Sequence, residues 1–322
     1  MAPRRAAVLV SVALLFAGFE TSIANAQETP APVKAVQLIG LTGVKQNAKG
    51  TLKVDNGNLQ FVHGKTNAEI TAASIQDVVN GDDTQRSVGG TVGVMSMAAP
   101  YGGGRFLSLL RRKIDTLTIR YRGVDGDLHG AIFTMPMGAA NAIKTQLVPE
   151  GAHSASTGEP TTAIPPSNEQ NATQSPEHLP GKIKASAIQV EMIQSDEIKL
   201  PAEFQIALYE NLIHQIEKQG KFQHVYRDGD HNATTVADLV VLHGTVRGFK
   251  PGSERARQVT TVAGATSINV HCQFTSPDGK SLLERDTNGK VRFFGGNLKS
   301  TYDFAKKAAH VTHENFSSTE SK

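Results

Sequence analysis

The stretch KIDTLTIRYRGVDGDLHGAIFTM, residues 113–135, predicts a β-rich first half of the chain. Leu117, Ile119 and Tyr121 recur at every second residue, which is typical of a strand with one buried face. The run Val124-Asp125-Gly126-Asp127 supplies turn residues, and LHGAIFTM follows it as a second apolar strand. Two such strands around a short turn predict a hairpin.

Further strands are predicted on the N-terminal side of this block. TLKVDNGNLQFV, residues 51–62, alternates around Asn56-Gly57, a dipeptide favoured in two-residue hairpin turns. NAEITAASIQDVVNGDD, residues 67–83, has the composition of two more short strands. The region from residue 34 to the hairpin is therefore expected to be an antiparallel sheet.

A helix is predicted to close this first domain. Residues 138–148 place Ala142, Ile143 and Leu147 on one stripe. We predict a small β-barrel or sandwich capped by a C-terminal helix over residues 34–150. The order of elements and the 113–135 block resemble the pleckstrin-homology-like arrangement seen in bacterial proteins. No ligand-binding residue follows from that resemblance.

Residues 151–182, GAHSASTGEPTTAIPPSNEQNATQSPEHLPGK, are dominated by Ser, Thr, Pro and Asn. A segment with so few apolar residues cannot bury enough surface to offset the entropy lost on ordering. We predict a disordered linker here.

A second domain is predicted over residues 183–316. Pro201 suits the first turn of a helix and Gly220 suits its end. Several long strands follow, and residues 297–316 predict a final helix. We expect an α/β sandwich with a mixed or antiparallel sheet and helices on one face, so the fold class is α+β. The stripe of the first helix comprises Leu200, Phe204, Ala207, Leu208, Leu212 and Ile216.

The sequence GTVRGFKPGSERAR, residues 244–257, resembles a domain-of-unknown-function family of exported bacterial envelope proteins and lipoproteins. Its members show an F-x-P-G-S-x-x-A-R turn, a small-residue strand and a hairpin ending in Gly-Gly. Here Ala263-Gly264-Ala265 and Gly295-Gly296 occupy the last two places. The resemblance implies export and a sheet similar to the N-terminal domain of the Tol-system periplasmic propeller protein. It implies no catalytic residues.

Residues 1–26 have the features of a signal peptide. Arg4 and Arg5 precede a short apolar run, and Ala24-Asn25-Ala26 gives a small-x-small cleavage pattern. We predict cleavage after Ala26 and a location in the periplasm or cell envelope, with an uncleaved anchor helix as the alternative. Cys272 is the only cysteine. No lipid acceptor follows the apolar run, so we do not expect a lipoprotein.

The sequence shows no catalytic constellation. It contains neither a Gly-x-Ser-x-Gly elbow nor a His-Glu-x-x-His motif. His310 and His313 lack a third ligand at helical spacing, and residues 228–232 lack the Gly and Glu positions of a calcium loop. We predict no catalytic residue, metal or cofactor, and no enzyme. The formal net charge of +3 without a basic tract does not favour nucleic acid as a partner.

Two places are candidate contact sites. Arg255 and Arg257 lie in the predicted turn after a strand, where they could contact an anion or a partner, or could hold the turn itself. The segment GGTVGVMSMAAPYGGGRFLSLLRR, residues 89–112, could be a flap that covers its own domain, an interface, or a hairpin on a membrane surface. Its candidate contact residues are Val94, Met95, Tyr101, Arg105, Phe106, Leu107, Arg111 and Arg112.

Three functions fit these features. The first is a non-catalytic binding or assembly module whose partner is another envelope protein. The second is a peripheral protein that contacts membrane lipid through the residue 89–112 segment. The third is a hydrolase or metal-dependent enzyme with a site assembled from distant residues.

Overall fold

The computed structural model describes residues 31–81, 114–154, 182–195, 197–253, 264–291 and 296–318. The predicted signal peptide, most of the predicted linker, the residue 89–112 segment, and Arg255 and Arg257 lie outside these residues. The described residues form a mixed α and β fold with most strands antiparallel, as the predicted fold class required.

Seven strands form the first sheet. They are β1 (Val33–Ile39), β2 (Ala48–Asp55), β3 (Asn58–His63), β4 (Thr66–Thr71), β5 (Ile75–Gly81), β6 (Ile114–Arg122) and β7 (Leu128–Pro136). Their order is β4-β3-β2-β1-β7-β6-β5, and all neighbours are antiparallel.

Local sequence explains the turns of this sheet. Asp55 pairs with Asn58 across the predicted hairpin turn, where Asn56 has φ 49° and Gly57 has φ 71°. Positive φ at both positions matches the right-handed twist of the flanking strands. The hairpin predicted from residues 113–135 is present as β6 and β7.

The sheet is open among the described residues, so the predicted barrel is wrong. Strands β4 and β5 lie at opposite ends of the strand order and do not pair with each other. The sheet instead buries one face against α1 (Ala139–Leu147), through Ala140, Ile143 and Leu147. Ala142, predicted on the buried stripe, is exposed.

The ordered first half extends past residue 150. The N–H of Ala152 donates to the carbonyl of Leu147 at 3.1 Å, and the N–H of His153 donates to Ile75 at 3.1 Å. Ala152 is buried in the core of the first sheet. The first residues of the predicted linker are therefore part of the packed structure.

Five strands form the second sheet, in the order β10-β9-β11-β12-β13. They are β9 (Ala187–Val190), β10 (His224–Arg227), β11 (Leu239–Lys250), β12 (Thr266–Thr275) and β13 (Ser281–Val291). Strand β9 is parallel to β10 and β11, and the other neighbours are antiparallel. A short pair, β8 (Ile183–Lys184) and β14 (Phe316–Ser317), is parallel.

Two helices cover one face of this sheet, α2 (Ala202–Gln219) and α3 (Lys299–Asn315). Pro201 precedes α2, and Gly220 ends it with φ 59°, a conformation that suits glycine. Gly289 of β13 lies under α3, where an added Cβ would be 2.0 Å from the carbonyl oxygen of Ser300. No helix among the described residues is long and apolar enough to cross a membrane.

Candidate functional site

The two halves of the chain contact each other where α2 crosses β7. Ile132 of β7 and Ile39 of β1 pack against Ile206 and Ala207 of α2 in a small apolar cluster. Gly130 of β7 permits this approach, because a Cβ there would lie 2.4 Å from Ile206. The first sheet is thus buried on both faces at its centre.

A buried ion pair lies in this junction. Arg227 of β10 donates from Nη1 and Nη2 to the two carboxylate oxygens of Glu210 at 2.8 and 3.0 Å. The N–H of Gly130 donates to Oε1 of the same carboxylate at 2.8 Å. Burial alone would lower the pKa of Arg227, but the charge and hydrogen bonds of Glu210 outweigh it and raise that pKa.

Tyr209 links the halves beside this ion pair. Its hydroxyl donates to the carbonyl of Leu128 at 3.1 Å and accepts from the N–H of Asp228 at 2.9 Å. Burial raises the pKa of Tyr209 above its ordinary value. Burial also raises the pKa of Asp228, whose carboxylate accepts from the N–H of Met192 at 3.1 Å.

His129 completes the junction. One ring nitrogen contacts the carboxylate of Asp127, and the ring stacks on Tyr121 with centroids 5.1 Å apart. Burial, and after it the positive charge of Arg227, lower the pKa of His129. Shifted pKa values often mark active sites. Here burial is the largest cause of the shifts of Tyr209, Asp228 and His129, and the side chains of Tyr209, Glu210 and Arg227 form hydrogen bonds between elements.

A second polar region lies on the face of the five-stranded sheet opposite α2 and α3. Along β12, Ile268, Val270, Cys272 and Phe274 are buried against the helices, so the alternate residues point the other way. Segment 231–238 covers the β9–β10 end of this side through a small apolar cluster. The rest we call the open face: Glu191, His243, Thr245, Arg247, Asn269, His271, Gln273, Glu284, Asp286 and Asn288, all half-buried or exposed.

Side chains on the open face are held by cross-strand hydrogen bonds. His243 lies between Glu191, at 2.6 Å from Nδ1, and Thr275, at 3.0 Å from Nε2. His271 and Asp286 face each other across β12 and β13, with Nδ1 and Oδ1 2.8 Å apart. These bonds fix the polar groups before any ligand arrives, which reduces the entropy lost on binding.

A depression of about 450 Å³ lies within the open face. It is lined by Arg247, Asn269, His271, Asp286, Thr287 and Asn288. Among the described residues, no carboxylate lies within ion-pair distance of Arg247, whose side chain is exposed. Arg247 also stands at the β-bulge of β11, between Val246 and Gly248. The depression therefore places the Arg247 guanidinium, which has no carboxylate partner among the described residues, beside the amide groups of Asn269 and Asn288.

The remaining sequence candidates have ordinary structural roles. His310 and His313 are exposed on α3, and His310 pairs with Glu314 at 3.1 Å. Asp230, in the segment that lacks the calcium-loop positions, accepts from the N–H of Asn232 at 2.9 Å and so stabilises a local turn. Cys272 is buried, and burial raises the pKa of its thiol to about 12. Within the described residues, no group of three or more His, Cys, Asp or Glu is placed to hold a metal.

The predicted contact residues cannot be placed. Arg255 and Arg257, and all eight residues chosen from segment 89–112, lie outside the described residues. Contact with membrane lipid through that segment stays a prediction, as does a catalytic site assembled from distant residues. Arg247, which the sequence left unassigned, is described on the open face eight residues before Arg255.

The open face and the junction were both missed from sequence. The sequence signal for the open face is the alternation of polar residues along β12, which includes His271 and is typical of a strand with one uncovered side. Arg227 and Glu210 lie 17 residues apart on different elements, and no local signal joins them.

Comparisons with known proteins assign no family to this chain. No protein-family model matches the chain, and no curated protein matches it. Among solved structures, the PelC dodecamer from Paraburkholderia phytofirmans matches at 14% identity and a TM-score of 0.28, covering 38% of this chain and 84% of that chain. A point variant of the same dodecamer matches at 14% identity and a TM-score of 0.28, covering 38% and 85%.

Proposed function

We propose that this protein is a non-catalytic binding or assembly module of the bacterial cell envelope, and that the open face binds its partner. The observation that carries the proposal is the open face itself. Two helices cover one side of the five-stranded sheet, while the side across β11, β12 and β13 presents hydrogen-bonded polar groups and Arg247, which no described carboxylate pairs with. Uncovered surfaces of this kind are where modules without catalytic groups make contacts.

The junction supports the proposal in a second way. Glu210 accepts from the N–H of Gly130 at 2.8 Å and Arg227 donates to the carbonyl of Leu128 at 3.2 Å, and these bonds join the second half to the first. The first half acts as a support for the second, and contacts with a partner are assigned to the second sheet.

We also propose the finer assignments made from sequence. Seven strands followed by α1 support a pleckstrin-homology-like first half. Two helices on one face of a mixed sheet support the envelope-family second half. Residues 1–26 support export to the periplasm or envelope, with cleavage after Ala26.

The proposal is tested by co-purification from solubilised envelopes of the native bacterium. Arg247→Glu reverses the free charge of the open face, and Lys218→Glu makes the same reversal on an exposed residue of α2. We expect wild type and Lys218→Glu to retain one common partner that Arg247→Glu loses. Two results would contradict the proposal: all three proteins retain the same partners, or none of the three retains any partner.

A further inference from the structure

Strand β13 is an edge of the second sheet, with β12 as its only neighbour strand among the described residues. The N–H of Lys290 donates to Oδ2 of Asp303 at 2.9 Å. The carbonyl of Asn288 accepts from Nζ of Lys307 at 3.0 Å. Both bonds run to α3, so the even-numbered residues of β13 direct their backbone groups away from β12.

The same alternation holds further along the strand. Asp286 and Glu284 pair with His271 and Gln273 in an unbroken register, so their N–H and C=O groups also point outward. The carbonyl of Glu284 accepts from the side chain of its neighbour Arg285 at 3.1 Å. Side chains of α3 thus protect the edge at Asn288 and Lys290 and leave it open at Glu284 and Asp286. An open edge is a template for another strand.

A groove of about 640 Å³ runs between this edge and α3. Most of the ionisable side chains that line it already have a polar partner. Asp303 pairs with Lys307 at 2.8 Å, His310 with Glu314 at 3.1 Å, and Asp286 with His271 at 2.8 Å. Lys306 is exposed, and no described carboxylate lies within ion-pair distance of it. Lys306 is therefore a cation of the groove without a carboxylate partner among the described residues.

We propose that the open part of the β13 edge binds an extended polypeptide segment as an added strand, with an acidic side chain of that segment beside Lys306. The N–H of Glu284 and both backbone groups of Asp286 supply the main-chain hydrogen bonds, while the carbonyl of Glu284 keeps its bond to Arg285, and Lys306 selects the charge. The inference rests on the proposed function and names its partner as an extended, acidic segment of protein. Asp286 belongs to both surfaces, so the edge and the open face are continuous.

Short synthetic peptides test the edge directly. The probe is an acetylated, amidated Thr-Val-Thr-Glu-Thr-Val-Thr peptide, compared with versions that carry Lys or Pro at the central position. Fluorescence anisotropy measures affinity, and amide hydrogen exchange of the full chain reports the site. We expect the Glu peptide to bind best, with new protection at Glu284 and Asp286, and the Pro peptide to fail because proline lacks the N–H of a strand.

Charge selection is tested with two variants of the exposed Lys306. Lys306→Ala should weaken binding of the Glu peptide about two- to five-fold, the range of an exposed ion pair. Lys306→Glu should bind the Lys peptide more tightly than the Glu peptide. Lys218→Glu should bind both peptides with the wild-type affinities.

Three results would overturn the inference: no binding by any peptide, equal binding by the Pro peptide, or protection at β4 or β10 instead of β13. Self-association of the chain through β13 in place of peptide binding would also overturn it. The proposed function is still supported after any of these results, provided that Arg247→Glu loses a partner in co-purification.

Discussion

Gln37 is a fully buried amide in the first sheet, at 0% exposure, opposite Ala48 and Phe133. Neither of its side-chain polar atoms has a hydrogen-bond partner among the described residues. Burying such a group unpaired costs about 1–3 kcal/mol. Gln37→Met keeps a similar shape and removes the polar atoms, so we expect the free energy of unfolding to rise by about 1–2 kcal/mol in urea titrations.

The matched control for this change is Gln37→Glu, which places a charge at the same position. We expect it to destabilise the protein at neutral pH, because an isolated carboxylate is costly to bury. If Gln37→Met proves less stable than wild type, the amide has partners that the described residues do not provide.

His129 predicts a pH dependence of stability. Its folded-state pKa lies below the ordinary value of 6.5, so in acid the unfolded chain binds a proton that the folded chain resists. Above pH 6.5, His129 makes its full contribution to the free energy of unfolding. That contribution is lost as the pH falls from 6.5 through the folded-state pKa. Asp228 and Glu217 have raised pKa values and act in the opposite direction.

Comparison with a variant isolates this contribution. Between pH 7.5 and pH 5.5, His129→Gln should lose less stability than wild type in urea unfolding, while His214→Gln on the exposed surface of α2 should follow wild type. Equal pH slopes for His129→Gln and wild type would show that His129 is protonated equally in both states.

At the scale of elements, the packing of α3 on β13 depends on Gly289. A Cβ at this position would lie 2.0 Å from the Ser300 carbonyl and 2.8 Å from Cβ of Phe304. The helix would have to move away, so we expect Gly289→Ala to cost several kcal/mol, on the order of 3. Thermal unfolding measures this loss of stability.

Gly81→Ala is the control, because the added Cβ would lie an ordinary 3.5 Å from Thr116. Comparable losses of stability in both variants would contradict the account.

Elements with a strong local signal could be predicted from sequence. The Asn56-Gly57 turn, the β6–β7 hairpin and the helix between Pro201 and Gly220 depend on neighbouring residues. The openness of the first sheet could not be predicted, because β4 and β5 follow each other after only three residues, 72–74, and no local pattern decides whether these two edge strands pair. The same reason explains why Glu210 and Arg227 were missed, since their pairing requires α2 and β10 to be in place.

At the scale of the whole molecule, the sequence suggests two domains joined only by a linker, whereas the structure has them in contact. The contact combines the packing of Ile132 on Ile206 with hydrogen bonds from the Gly130 N–H to Glu210 and from Arg227 to the carbonyl of Leu128. Separating the halves would break these hydrogen bonds and expose the apolar cluster to water. We therefore expect the halves to remain associated after the connection between them is cut.

A protease site inserted between residues 160 and 170 allows this test. After cleavage, the two fragments should elute together in size-exclusion chromatography. Gly130→Val should separate them, because the added side chain would overlap Ile206, while each fragment keeps its circular dichroism spectrum. Separate elution of the wild-type fragments would show that the junction does not hold the halves together.

The central claim is that the open face binds an envelope partner, and site-specific photocrosslinking in the native envelope tests it most directly. A photoreactive residue at Asn269 lies in the depression of the open face, and one at His214 lies on the exposed side of α2. We predict a discrete crosslinked product at position 269 and none at position 214. The absence of a product at 269, or the same product at both positions, would contradict the account.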